Sequence, residues 1–140
     1  MRIRESDVVA AVFTWLEEDG FAPQLEYPIL GKVADVFAVA SGGGRVVAVE
    51  CKERDWRRAV RQARLYQLAA EHVYVALPGS CVTEKVSREM AHHGLGLIGV
   101  TEDGGVVILL DPRSSQGLME SLRNRAAAQF QKRQQGAVSG

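Results

Sequence analysis

A chain of 140 residues, 46% of them apolar, is long enough to bury one core and leaves no length for a second, and its 17 Lys and Arg balance 17 Asp and Glu. That neutrality excludes a protein that coats nucleic acid through bulk charge, and no apolar run approaches the roughly 18 residues of a membrane-spanning helix. The start MRIRESDVV is charged where a secretory signal is apolar, and Cys51 and Cys81 lack CxxC or Cys/His spacing, so a cytoplasmic protein with reduced core cysteines is expected.

From Ser6 to Asp19, Val8, Val9, Val12, Trp15 and Leu16 recur at helical spacing before Gly20, which predicts an amphipathic helix. Glu5 lies three to four residues ahead of Val8 and Val9. It projects from the core-facing stripe as an acidic site candidate, or it is a negative charge favourable at a helix N-terminus. Phe21 to Ile29 contains two prolines that cannot donate to a ladder, and so reads as an edge strand.

VADVFAVA and RVVAVECK flank SGGG and predict a hairpin. A loop of Gly42 and Gly43, or equally of Ser41 to Gly44, sets Asp35 opposite Glu50. Opposed residues share a face about 5 Å apart, so two carboxylates would stand together among Val, Ala and Phe. Such a pair repels, and burial is tolerable once a proton or cation neutralises it; a divalent ion does so directly. Lys52, two residues beyond Glu50, falls on the same face, and Cys51 points the other way. A solvated Glu and Lys at a strand end is the competing reading, and an odd-length turn would move Asp35 off the face.

Asp55 caps a helix predicted from Trp56 to about Ala70, with Trp56, Ala59, Val60, Ala63, Tyr66 and Ala70 as its apolar stripe. Gln62 and Tyr66, four apart, share a face and can order a ligand or phosphate; otherwise they are a boundary residue and a core aromatic. Lys52, Arg54, Arg57, Arg58, Arg61 and Arg64 meet only Glu53 and Asp55, whereas Glu5, Asp7, Glu17, Glu18, Asp19 and Glu26 follow one another without a cation between them. The basic helix suits a phosphate backbone, or is a solvated face paired with the acidic first helix.

His72 to Leu77 predicts a central strand covered on both faces, and Thr83 to His93 a capped helix closed by Gly94. His92 and His93, being adjacent, point apart and read as helix-end cations rather than joint metal ligands. Leu95–Val100 and Val106–Leu110 form a second hairpin across TEDGG. From Ser115 a C-terminal helix is expected, with Leu118, Met119, Leu122 and Phe130 as contacts, a second basic run in Arg123, Arg125, Lys132 and Arg133, and a frayed GAVSG tail.

The order helix, three strands, helix, strand, helix, two strands, with Asp35 on the second strand and Glu50-x-Lys52 on the third, resembles the PD-(D/E)xK, or restriction-endonuclease-like, nuclease superfamily from Glu5 to about Leu110. Ala34 stands where Pro is usual. The resemblance implies an α/β fold with a mixed central sheet flanked by helices on both faces, αβββαβαββ plus a C-terminal helix. The nuclease-like domain would span 1–112, the helix 113–135 would pack on it or extend from it, and 136–140 would be a flexible tail.

It further implies that Asp35, Glu50 and the backbone carbonyl of Cys51 bind Mg²⁺, with Mn²⁺ able to substitute, and that Lys52 orients or activates the attacking water. Glu5 stands for a further Glu on the first helix, and Gln62 with Tyr66 for a pair found in exonuclease and CRISPR-associated branches. The implied activity is hydrolysis of DNA phosphodiester bonds in repair, recombination or restriction, with Arg54, Arg57, Arg58, Arg61 and Arg64 on the phosphates. Small dimeric Holliday-junction resolvases suggest a homodimer; the other partner expected is a protein that delivers substrate. The alternative is an inactive nuclease-fold module for nucleic-acid binding or complex assembly. A P-loop is excluded, because Gly42 to Gly44 leads into a strand rather than a helix.

Overall fold

The computed structural model describes residues 2–40 and 44–139, the last three of these by backbone alone. Helix α1 (Glu5–Glu18) precedes strands β1 (Gln24–Ile29), β2 (Lys32–Val39) and β3 (Val46–Cys51). Helix α2 (Trp56–Tyr66), β4 (His72–Pro78), a short 3-10 turn, α3 (Glu84–His92), β5 (Gly96–Val100), β6 (Val106–Leu110) and α4 (Glu120–Ser139) complete the chain. The six strands lie in sequence order in one sheet. Short turns make β1–β2, β2–β3 and β5–β6 antiparallel, whereas α2 and α3 carry the chain back to make β3–β4 and β4–β5 parallel. The sheet is therefore mixed.

Helices cover both faces. Val8, Val12 and Leu16 of α1 pack on Val36, Val47, Val49, Tyr74 and Ile98. On the other face Ala59, Val60 and Ala63 of α2, Val86 and Met90 of α3, and Phe130 of α4 pack on Phe37, Ala48, Val75 and Leu97. Central strands buried on both sides need continuous apolar runs, and VVAVEC of β3 is buried at every position. Glu50, 2% exposed, is the one buried charged side chain among the described residues.

The β2–β3 register follows the sequence expectation: Val39 faces Val46 and Val36 faces Val49, so the next pair is Asp35 with Glu50. Ala40 N–H donates to Arg45 O at 2.9 Å, which ties the two strand ends together. Residues 41–43 of the expected loop lie outside the described residues. The alternation of β2 does not hold throughout. Ala34 joins the α2-side core and Val36 the α1-side core, although residues two apart should share a face. The break falls at Asp35, next to Glu26 of β1, whose φ is 51°.

Further expectations are corrected. The C-terminal helix begins at Glu120, not Ser115, because Ser115 and Met119 are tied by backbone hydrogen bonds to Glu71 O and Leu68 O. It continues to Ser139, so 136–139 are helical where a frayed tail was expected, and Gly140 lies outside the described residues. Met119 is exposed, and Ala126 and Ala127 take buried places beside Phe130. The rings of His92 and His93 do not diverge but meet edge to face at 4.8 Å. Burial, with the charge of Arg64 nearby, holds His93 below the usual imidazole range, so it is not the helix-end cation expected. Among the described residues no helix is long and apolar enough to cross a membrane.

α4 is bound to the sheet by aromatic packing. Tyr27 and Phe37 stack at 4.1 Å, Phe130 lies 5.8 Å from Phe37, and Tyr27 Oη donates to Ala126 O at 2.8 Å. Phe130→Ala is expected to lower stability by about 3 kcal/mol, read from the urea midpoint; a midpoint equal to wild type would show that α4 is not part of the core.

Candidate active site

The site lies where β3 ends. The β2–β3 ladder stops at Val36–Val49, and the Asp35 side chain then takes over: its Oδ2 accepts the Cys51 N–H at 2.7 Å. A carboxylate that terminates a ladder in this way satisfies a backbone donor that would otherwise be orphaned. Glu50 projects to the α2 side, where Tyr66 Oη lies 3.0 Å from its Oε1 and Lys52 Nζ 3.5 Å from its Oε2. Glu5, at the start of α1, reaches the same ammonium from the opposite face at 3.7 Å. Four of the residues singled out in the sequence thus converge at one sheet end, and Tyr66 supports them from α2.

Two carboxylates, Glu5 and Glu50, share one ammonium, and the charge of Lys52 also reaches Asp35. Burial pushes the Glu50 carboxyl up to about 7, the charge of Asp35 pushes the same way, and Tyr66 and Lys52 pull it back. Burial raises Asp35 as well, against the Cys51 N–H and Lys52. Tyr66 sharpens the point. Its hydroxyl lies 2.9 Å from Val33 O as well as 3.0 Å from Glu50, so two acceptors compete for one proton. Protonation of Glu50 would relieve that competition, since its carboxyl could then donate to Tyr66 Oη while Tyr66 donates to Val33 O.

A divalent cation is the other way to neutralise the pair. The donors are hard oxygens, as Mg²⁺ prefers, and Asp35 Oδ1 is not occupied by the Cys51 contact. Among the described residues no three His, Cys, Asp or Glu side chains form a metal-holding group. Two carboxylates suffice for an ion that keeps most of its water and takes a backbone carbonyl, for which the main chain of Cys51 is adjacent. The Cys51 thiol itself is fully buried with the α1-side core, and burial raises its pKa well above the ordinary value, so it is no nucleophile.

Gln62 is not drawn into this network. It makes no hydrogen bond to Asp35, Glu50 or Lys52 among the described residues, and its Oε1 is buried without a partner. Arg54, Arg57, Arg58, Arg61 and Arg64 are all exposed. Pairing with the acidic first helix does not account for them, because α1 and α2 lie on opposite faces of the sheet. Arg57 stacks on Trp56 at 4.4 Å.

Glu26 is the residue the sequence analysis missed. The pairs Leu25–Val36 and Tyr27–Ala34 bracket it opposite Asp35, and with Glu5, Ser6, Val9 and Leu25 it lines a cavity of about 270 Å³ that opens onto Asp35. The signal was available. Reading Leu30-Gly31 as a tight turn between β1 and β2 places Glu26 against Asp35 by the same constant-sum rule used for the next hairpin.

A mixed six-stranded sheet with helices on both faces, and Asp35 of β2 beside Glu50 of β3, has the restriction-endonuclease-like α/β layout expected from the sequence. No family model and no curated protein matches the sequence. Solved structures do resemble it. A protein of unknown function from Silicibacter pomeroyi superposes with a TM-score of 0.66 at 18% identity, over 99% of this chain and 94% of that one. A repair endonuclease from Pyrococcus abyssi is a more distant neighbour, with a TM-score of 0.50 and 21% identity over 72% of this chain; the match spans about half, 48%, of that endonuclease. At such identities the likeness is one of fold.

The raised pKa of Glu50 fixes the sign of a pH effect in metal-free protein. A carboxyl whose folded value of about 7 exceeds its ordinary 4.5 contributes stability that is complete below 4.5 and is lost as pH rises through 7. In EDTA, wild-type stability to urea should fall between about pH 5 and 8, and Glu50→Gln should abolish that fall and exceed wild type at pH 8 by up to about 3 kcal/mol. A wild-type curve that does not fall over that window would remove the strain assigned to the pair.

Proposed function

We propose that the protein is a Mg²⁺-dependent nuclease that hydrolyses phosphodiester bonds in DNA, acting in repair, recombination or restriction in the cytoplasm. The observation that carries the reading is the buried Glu50 beside Asp35, with Lys52 3.5 Å from Glu50. Asp35, Glu50 and the Cys51 carbonyl would hold the ion, and Mn²⁺ would substitute. When bound, Mg²⁺ polarises a phosphoryl oxygen and lowers the pKa of water.

The chain's own groups do the rest. Lys52, with its side chain only 17% exposed, supplies a cation in a largely dry place, where it holds the attacking water in line and offsets charge developing on the phosphate. Tyr66 keeps Glu50 in one rotamer, and Glu5 holds Lys52 from the α1 side. The exposed arginines from Arg54 to Arg64 contact phosphates without reading bases, so binding weakens steeply with salt. A second copy, or a partner that delivers substrate, would extend the surface available to DNA.

The competing reading is a nuclease-fold module that binds nucleic acid or assembles a complex without cutting. It draws on the absence of a three-ligand group among the described residues and on the engagement of Lys52 by two carboxylates. Cleavage of plasmid, single-stranded and branched DNA decides between them. The nuclease should cut at least one with Mg²⁺ or Mn²⁺ and none in EDTA. Lys52→Ala should slow cutting about 10²–10³-fold and Asp35→Asn should abolish it; no cutting by wild type with either metal would establish the binding module.

A further inference from the structure

We propose that the cleft between the C-terminal ends of α2 and α3 is a phosphate-binding site, a second anchor for the nucleic-acid backbone remote from the cutting centre. The cleft has a volume of about 430 Å³ and is walled by Arg64, Gln67, His92, His93, Arg113 and Ser114. It lies by Gly94, where the chain enters β5, whereas Glu50 and Lys52 lie where β3 is left behind. The inference rests on the nuclease reading for its choice of ligand but involves none of the residues of that centre.

A helix C-terminus ordinarily repels anions, because its last carbonyls carry partial negative charge. At the end of α3 they are covered. Arg113 Nη2 donates to Ala91 O at 2.9 Å and to His92 O at 3.4 Å, and Gln67 Nε2 donates to His93 O at 2.8 Å. Gly94 allows the guanidinium to lie there: its φ is +70°, and a Cβ at that position would come within 3.3 Å of Arg113 Nε. With the carbonyls satisfied, the cleft presents a guanidinium fork, imidazole, amide and hydroxyl groups. Glu89 lies 3.5 Å from His93 Nε2 and is not part of the wall.

Arg64 indicates what would occupy the cleft. It is exposed and forms no ion pair among the described residues, and it ends a stripe of Arg57, Arg61 and Arg64 spaced four and three apart along one side of α2. Eleven residues of helix span about 16 Å, the rise of about five nucleotides at ~3.4 Å each. A strand lying on this stripe from the Lys52 end delivers a phosphate to the cleft, and arginine forks suit that group.

Two measurements on the full chain in EDTA test this. The chain has 3 histidines, so their proton NMR signals report on the cleft directly. Titration with inorganic phosphate should shift His92 and His93 saturably in wild type and not in Arg64→Glu. In fluorescence anisotropy, a 12-nucleotide strand should bind Arg64→Glu about tenfold more weakly than wild type, with the slope of log affinity against log salt reduced by about one, and Arg64→Lys should recover most of the loss. Shifts with phosphate but unchanged 12-mer binding would mark a free-anion site and overturn the anchor; so would unchanged affinity and salt slope alone. Metal-dependent cleavage is scored separately, so Arg64-dependent binding without cutting would remove the nuclease reading and leave the anchor in place.

Discussion

The molecule is arranged around the cost of burying a carboxylate. Glu50 sits at the end of a strand whose every position is buried, beside a second carboxylate, and an ionised group there must be compensated or neutralised. Each neighbour compensates in part. The Tyr66 hydroxyl, the Lys52 ammonium and the Cys51 N–H on Asp35 draw the pair toward ionisation, while burial resists it. The balance leaves the Glu50 carboxyl raised to about 7, between its charged and neutral forms at neutral pH.

The sheet supplies the positions. β3 is held between an antiparallel hairpin partner and a parallel neighbour, so its end is fixed from both sides, and Asp35 reaches it because β2 breaks its alternation there. Glu26, with its positive φ, lies across from that break. Helices on opposite faces then divide the labour. α1 brings Glu5 to Lys52 and α2 brings Tyr66 to Glu50, while the arginines of α2 are exposed on the face opposite α1.

This separation also bears on nucleic-acid binding. The net charge is zero, yet most of the acidic run lies on α1 and most of the basic run on α2, with the sheet between them. A neutral chain can therefore present a positive surface on one side. The polar cleft by Gly94 continues that surface, since Arg113 and Gln67 neutralise the helix end that would otherwise oppose it.

Element order, the hairpin register and the juxtaposition of Asp35, Glu50 and Lys52 were legible in the residues, because strand period, turn chemistry and constant cross-strand sums are local rules. Tyr66 was legible as a position on a helix face but not as the group that bridges Val33 and Glu50, since that depends on where α2 crosses the sheet. Glu26 escaped notice with the Leu30-Gly31 turn, and the start of α4 was misplaced because long-range bonds to Glu71 and Leu68, invisible to periodicity, hold 115–119 out of the helix. The sequence by itself determined which charges lie next to one another along paired strands. The tertiary structure alone decided which of them are dry and which cation they share, because burial and contact between elements on opposite faces of a sheet are properties of packing rather than of spacing.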